Sequence, residues 1–213
     1  DDSRELWSGP VGSTSLVLLK ESLEDISSSA TGDSYSIPIN VRAKPDGLLE
    51  WELREFHQVE WVDEIINGVL MDLTVSRYAT FDELYKYCYR VASVVGLVCI
   101  EIFGYRDPKA KEHAVDLGIA MQLVNIMRDV REDAERDRIY LPQEEMERSG
   151  YSEKDLFAGV VNGSFNKLMR MQSQRAREHF EKGRLLLPLL SPRARACPAV
   201  LQGLYSKLLG RIE

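Results

Sequence analysis

The sequence predicts an all-α protein, a bundle of amphipathic helices packed around a central apolar helix. Three observations carry that expectation. Apolar residues recur at helical spacing, as in Val59, Val62, Ile66, Val69 and Leu73, which share one face of a 3.6-residue turn. Start signals precede such stretches, the plainest being the capping box Thr80-Phe81-Asp82-Glu83. Finally, Asn125, Asp129 and Asp133 follow one another at i, i+4 and i+8. On a helix turning about 100° per residue they drift only about 80° around the axis and form one column.

Taken in order, the chain opens with Asp1-Asp2-Ser3-Arg4-Glu5, which by itself reads as a frayed, acidic terminus. Ser13, Thr14 and Ser15 can cap a helix bearing Leu16, Leu19, Leu23 and Ile26. A polar linker follows over residues 27–34. Tyr35, Ile37, Ile39 and Val41 alternate as a strand would, although Pro38 interrupts them. Lys44-Pro45-Asp46-Gly47 is a turn, expected to launch a helix through Leu49, Leu53 and Phe56. The Val59–Leu73 stripe is the next helix, its apolar face expected in the core.

After the capping box, the buried positions are expected to be Leu84, Tyr87, Cys88, Val91, Val95, Val98 and Ile102, with a stop at Gly104. This helix is apolar on nearly all sides from Val91 to Ile100, so it belongs at the centre. Its small residues Ala92, Ser93 and Gly96 either let a neighbouring helix approach or leave room for a ligand. Asp107-Pro108 starts a long helix that carries the acid column and is expected to run to Leu141-Pro142. Ser152-Glu153-Lys154-Asp155 caps a short helix, and Phe165, Leu168, Met169, Gln172, Ala176 and Phe180 trace another toward Pro188. Ser191-Pro192 opens the last helical region, which carries Tyr205.

Composition narrows the function. With 213 residues, 44% hydrophobic and 29% charged, the chain can bury one sizeable core. A net charge of -7 and a pI near 5.2 argue against an extended nucleic-acid surface. Cys88, Cys99 and Cys197 read as small core residues in a reducing compartment. The longest apolar run, Val91 to Ile100, is about half of the ~20 residues a spanning helix needs. A soluble or peripheral protein is expected. His57, His113 and His179 read as surface or interhelix residues, and Met121, Met127, Met169 and Met171 as adaptable core.

The column itself has two readings. Crowded carboxylates repel unless a cation sits between them, and hard oxygen ligands suit Mg²⁺, which keeps several waters and completes its shell with substrate phosphate. Arg128, Arg131, Arg136 and Arg138 lie in the same stretch, and a guanidinium forks well onto phosphate oxygens. Equally, a solvated helix laced with i, i+4 ion pairs carries mixed charge of this kind. Against that, Leu123, Val124, Ile126 and Met127 hold the helix in the core beside its acids. These residues alone leave both readings open.

The run Gln122-Leu123-Val124-Asn125-Ile126-Met127-Arg128-Asp129-Val130-Arg131-Glu132-Asp133, followed by Arg136, Arg138, Tyr140, Leu141 and Pro142, is similar to the second aspartate-rich motif of the phytoene/squalene synthase family, the head-to-head prenyl diphosphate synthases, and is closest to its phytoene synthases. Tyr85-Lys86-Tyr87-Cys88-Tyr89-Arg90-Val91-Ala92-Ser93-Val94-Val95-Gly96 resembles the family's substrate-channel helix, with Ser93 where a glycine is usual. Met71-Asp72-Leu73, Ser76-Arg77-Tyr78 and Tyr205 also match. The resemblance implies an isoprenoid synthase helical bundle with a central substrate channel. It implies one such domain over residues 1–213, incomplete at both ends and lacking the family's N-terminal helices.

The same resemblance assigns roles. Asn125, Asp129 and Asp133 would hold Mg²⁺, with Mn²⁺ a substitute, and Asp1, Asp2 and Glu5 would stand at the first metal motif, with Glu5 where an aspartate is usual. Gln122, Arg128, Arg136 and Tyr205 would contact the prenyl diphosphate substrate. Tyr87, Arg128, Asp129 and Asp133 would be catalytic. The implied reaction joins two geranylgeranyl diphosphates into phytoene through a cyclopropyl diphosphate, without NADPH, at a membrane surface in the cytoplasm or plastid stroma. Squalene or dehydrosqualene synthesis from farnesyl diphosphate, and a non-catalytic assembly role on the same scaffold, are the alternatives.

Overall fold

The computed structural model describes residues 35–43, 49–56, 59–192 and 194–213. The chain divides into two compact units, Asp1–Val62 and Asp63–Glu213, and each is taken by itself.

In the first unit, β1 (Tyr35–Ala43) pairs antiparallel with β2 (Leu49–Phe56), Tyr35 lying opposite Phe56 and Ala43 opposite Leu49. The register shifts between Pro38 and Asn40, where the missing proline N–H breaks the ladder. The alternation of Tyr35, Ile37, Ile39 and Val41 is thus a strand, as expected. The helix expected through Leu49, Leu53 and Phe56 is not formed. Leu49, Trp51 and Leu53 also alternate with Glu50, Glu52 and Arg54, and that period of two prevails beside a partner strand. The expected helix over Leu16–Ile26 lies outside the described residues.

The second unit is helical. α1 (Val59–Thr74) carries the chain into it. Its stripe is only half-buried at Val62, Ile66 and Val69 and exposed at Leu73, so the expected core face is not fully covered among the described residues. Thr80 caps α2 (Phe81–Cys88) by accepting from the Glu83 N–H, while the Glu83 carboxylate reaches back to the N–H of Ala79, one residue beyond the usual box. α2 passes through a π-helical turn, Tyr89–Ser93, into α3 (Val94–Phe103). Gly104 at φ 86° ends it.

α4 (Ala110–Glu135) is the spine. Gly118 meets the π-turn so closely that a Cβ there would lie 2.5 Å from Ser93 Cα, and the Ser93 hydroxyl donates to the Val115 carbonyl at 2.8 Å. α4 stops at Glu135, well before the expected Leu141. Asp137 adopts φ 57°, and the N–H groups of Asp137 and Arg138 return to the carbonyls of Ala134 and Asp133 at 2.9 Å each. That is a Schellman ending with aspartate in the glycine position, secured by Arg77, which donates to the Asp137 carbonyl and carboxylate.

Next come α5 (Gln143–Ser149) and α6 (Glu153–Phe157), the latter started by the expected Ser152–Asp155 capping box. α7 (Gly163–Gly183), capped by Asn162, runs antiparallel along α4, with Ser173 beside Met127 and Gly183 against Leu117. Short α8 (Leu186–Leu189) and long α9 (Ala196–Ile212) close the unit. Leu123, Val124, Met127, Leu168, Ala176 and Phe180 are buried along α4 and α7. Burying each large side chain is worth roughly 1.5–3 kcal/mol, which holds α4 rigid where its acids emerge.

One charged group lies inside this core. Glu145 on α5 is 2% exposed and accepts from Arg175 at 2.5 and 3.1 Å and from Gln172 at 2.5 Å. Arg175 in turn stacks 3.7 Å from the Phe81 ring centroid. α2, α5 and α7 are thereby pinned together.

Candidate active site

The acid column sits where α4 leaves the core. Asn125 donates from Nδ2 to the Gln122 Oε1 at 3.3 Å, which leaves the Asn125 Oδ1 buried and unpartnered. A buried acceptor without a donor costs free energy unless a ligand satisfies it. One turn on, Arg128 grips Asp129 with two hydrogen bonds of 2.6 Å. Those bonds raise the Arg128 pKa against the opposing effect of burial, and Tyr205 adds to the rise. Tyr205 on α9 is therefore beside Arg128. A further turn along, burial pushes the Asp133 carboxyl above its ordinary value and Asp129 adds to the push, while Arg136 and Arg138 pull it down. Arg136 itself is exposed at the end of α4.

Beyond that end, the chain doubles back beside α1. Ile139 donates to the Ser76 carbonyl at 3.0 Å, Tyr140 donates its hydroxyl to Asp72 at 3.0 Å, and Arg138 pairs with Asp72 at 3.2 Å. Tyr140 stacks on Tyr87 and Tyr78, with centroids 5.2 and 5.8 Å apart. Tyr87 is buried, and burial raises its hydroxyl pKa, followed by hydrogen bonding to Tyr140. The Tyr78 hydroxyl is buried and unpartnered. Sequence reasoning gave Asp72 and Tyr140 no role. The hydrogen bond joining them spans 68 residues, and no local spacing reveals it.

A cavity of about 320 Å³ opens beside the column. Gln122 and Asn125 supply polar groups at one end, while Val91, Val95, Ile100, Phe103, Leu117 and Leu190 make the rest of the wall apolar. This explains the helix that is apolar on all sides: Val94 and Leu97 face the core, and Val91, Val95, Cys99 and Phe103 face the cavity. Cys88 is buried as expected, but Cys99 and Cys197 are exposed, lining the cavity instead of filling the core. His179 is the expected interhelix residue, 2.7 Å from Asp116.

Among the described residues no three His, Cys, Asp or Glu side chains cluster as a metal site. The column offers two carboxylates and the free Asn125 oxygen, an all-oxygen set that fits a hard cation completing its shell with water and phosphate. Asp1, Asp2 and Glu5 lie outside the described residues.

Residues 46–213 match the family model for squalene/phytoene synthase. The chain belongs to the squalene/phytoene synthase family. Within it, the chain is 44% identical over 157 residues to the chloroplastic phytoene synthase 1 of Arabidopsis thaliana, covering 70% of this chain and 37% of that protein. It is 43% identical over 162 residues to the 15-cis-phytoene synthase of Synechococcus elongatus, 70% of this chain and 53% of that one. To the phytoene synthase of Arthrospira platensis it is 38% identical over 223 residues, 98% and 70% of the two chains. The chain thus spans between 37% and 53% of the first two relatives.

Among solved structures of the family, the squalene synthase HpnC of Alicyclobacillus acidocaldarius is 26% identical and superimposes with a TM-score of 0.70 over 72% of this chain and 59% of that one. A dehydrosqualene synthase at 23% identity shares the fold, with a TM-score of 0.73 over 93% of this chain and 68% of that one. The helical bundle expected from the sequence is therefore the family's fold, with the β1–β2 hairpin as an element that the sequence reading half missed.

Proposed function

We propose that this chain acts as a prenyltransferase that joins two geranylgeranyl diphosphates head to head into phytoene, with its second aspartate-rich motif on α4 and Asp1, Asp2 and Glu5 at the first. The observation that carries the reading is an apolar cavity whose polar lining residues, Gln122 and Asn125, stand on α4 one and two turns before Asp129 and Asp133. An isoprenoid tail fits the cavity and a diphosphate the column. The phytoene synthases at 43–44% identity favour the C20 substrate over the C15 substrate of squalene synthases.

Asn125, Asp129 and Asp133 would hold Mg²⁺, or Mn²⁺ in its place; bound there, the cation neutralises charge on a departing diphosphate. The protein's own groups do the rest. Gln122 and Arg128 orient the diphosphate, and Arg136 and Tyr205 stand close enough to contribute. Arg128 is committed to Asp129 in the free protein, through side chains 45% and 30% exposed. A pair so solvated is worth about 0–1 kcal/mol, so an arriving diphosphate can take the guanidinium while Asp129 turns to the cation. The cavity wall excludes water from carbocations formed after ionisation. Tyr87, held by Tyr140 and Asp72, would act as a fixed neutral dipole. A cyclopropyl diphosphate is the intermediate this coupling requires before the second ionisation. Because the coupled product is formed by loss of a proton and not by reduction, no NADPH is needed.

The tails and product are long hydrocarbons, so we further propose peripheral attachment to a membrane in the plastid stroma or cytoplasm. No nucleic acid is a partner in this reading. Calorimetric titration of geranylgeranyl diphosphate with Mg²⁺ tests it. Asp129→Ala and Asp133→Ala should each abolish Mg²⁺-dependent binding while circular dichroism keeps its helical signal. Equal affinity in wild type and variants would overturn the assignment, and tight binding without turnover in the complete protein would favour the non-catalytic alternative.

A further inference from the structure

Arg77, between α1 and α2, spends its guanidinium inside the protein. Its Nη1 donates to the carbonyls of Ser76 at 2.9 Å and Asp137 at 2.6 Å, its Nη2 to the Asp137 carboxylate at 2.6 Å, and its Nε to Glu153 at 3.0 Å. The Phe157 ring centroid lies 5.8 Å from the guanidinium carbon. Arg77 does not line the apolar cavity, and with most of its N–H groups taken it is not built to receive a diphosphate.

Its grip falls on Asp137, the one non-glycine residue at positive φ among the described residues, at 57°. Side chains adopt that conformation at a cost, which aspartate tolerates better than most. The same turn decides where Asp133 points, because the N–H groups of Arg136 and Arg138 both return to the Asp133 carbonyl, at 3.0 and 2.9 Å. Asn125 and Asp129 stand earlier on α4, beside the buried Leu123, Val124, Ile126 and Met127. Asp133 stands two residues from the end of the helix, at Glu135, and takes its direction from the ending. We infer that Arg77 is a positioning residue: by locking Asp137 in its left-handed turn, it fixes the last turn of α4 and with it the aim of the Asp133 carboxylate. The inference rests on the reading of Asn125, Asp129 and Asp133 as a clamp for Mg²⁺ and diphosphate. As a charge pair, Arg77 and Asp137 contribute little, since the Asp137 side chain is 80% exposed. What counts is the fork, which holds a backbone carbonyl and a carboxylate at once.

The test uses the full 213-residue chain, with inorganic diphosphate titrated calorimetrically in the presence of Mg²⁺. Arg77→Met should weaken binding about tenfold, the scale on which residues that orient metal ligands act. Asp137→Gly should bind as the wild type does, because glycine takes a positive φ without support. Adding Arg77→Met to Asp137→Gly should then cost little of that affinity. Amide exchange at Arg138, followed by NMR, should quicken in Arg77→Met and slow again in the double variant. Should Arg77→Met fail to fold, Asp137→Ala takes its place: it keeps the Arg77–Glu153 pair but lacks both the carboxylate and the freedom of glycine, so it should lose affinity where Asp137→Gly does not. Wild-type affinity in Arg77→Met or Asp137→Ala would overturn the proposal. So would a loss in Arg77→Met that Asp137→Gly leaves unrelieved, the mark of a merely structural role. No Mg²⁺-dependent binding in the wild type would overturn the metal reading itself, and this inference with it.

Discussion

Asn125 sets a stability cost directly against binding. Its buried Oδ1 has no donor in the free protein, so removing it should not weaken the fold. Asn125→Leu, alike in branching and heavy-atom count, is expected to keep or raise stability by about 1 kcal/mol in urea unfolding. The same change should reduce Mg²⁺-dependent diphosphate affinity at least tenfold by calorimetry. Destabilisation without loss of affinity would show that the oxygen serves the fold. Glu145 behaves the opposite way. Burial alone would raise its carboxyl pKa, but hydrogen bonds from Arg175 and Gln172 outweigh burial and hold it below the ordinary value. A carboxyl lowered on folding adds stability that is present above its unfolded pKa and disappears as pH falls through the folded one. Glu145→Ala should therefore cost about 3 kcal/mol at neutral pH and flatten the acid limb of the stability profile. Urea midpoints measured across that limb check both expectations.

At the scale of elements, the tightest joint is Gly118 against the π-turn. A Cβ would meet backbone atoms of Ser93 and Ala92 at 2.5–2.9 Å, and backbone cannot yield as a side-chain tip can. Gly118→Ala should thus destabilise by about 1–3 kcal/mol and lower the thermal midpoint, whereas Gly203→Ala on α9, with open space around it, should not destabilise. This joint also shows what the sequence conveyed. The Ser152–Asp155 box, the α4 column and the apolar α2–α3 run were legible because each is a spacing within one element. The end of α4 was not, because Asp137 supplies a left-handed residue where glycine would have announced the stop. Nor was β2, whose apolar residues fit a period of two as well as a helical spacing until a partner strand decides. The Asp72–Tyr140 bond and the placing of Cys99 and Cys197 depend on how distant elements meet. Local pattern holds no record of that.

For the molecule as a whole, the cavity joins an oily wall to a charged helix end. No described helix is long and apolar enough to cross a membrane, yet Phe103, Val200 and Leu204 are 61%, 61% and 58% exposed. The proposed attachment to a lipid surface is expected to be reversible: alkaline carbonate should release the protein from vesicles, and release by detergent alone would contradict a peripheral mode. The rod running from Phe81 to Phe103 has a further consequence. Its π-turn holds one residue more than a regular helix would, and so acts as a phase shifter between the two halves. Winding those same residues into an unbroken α-helix would make the rod look improved by ordinary helical criteria. Everything after the turn would then be rotated by about 100°, swinging Val95, Cys99 and Phe103 off the cavity wall while Tyr87 stayed in place. A chain with a more regular helix would have lost the lining of its cavity.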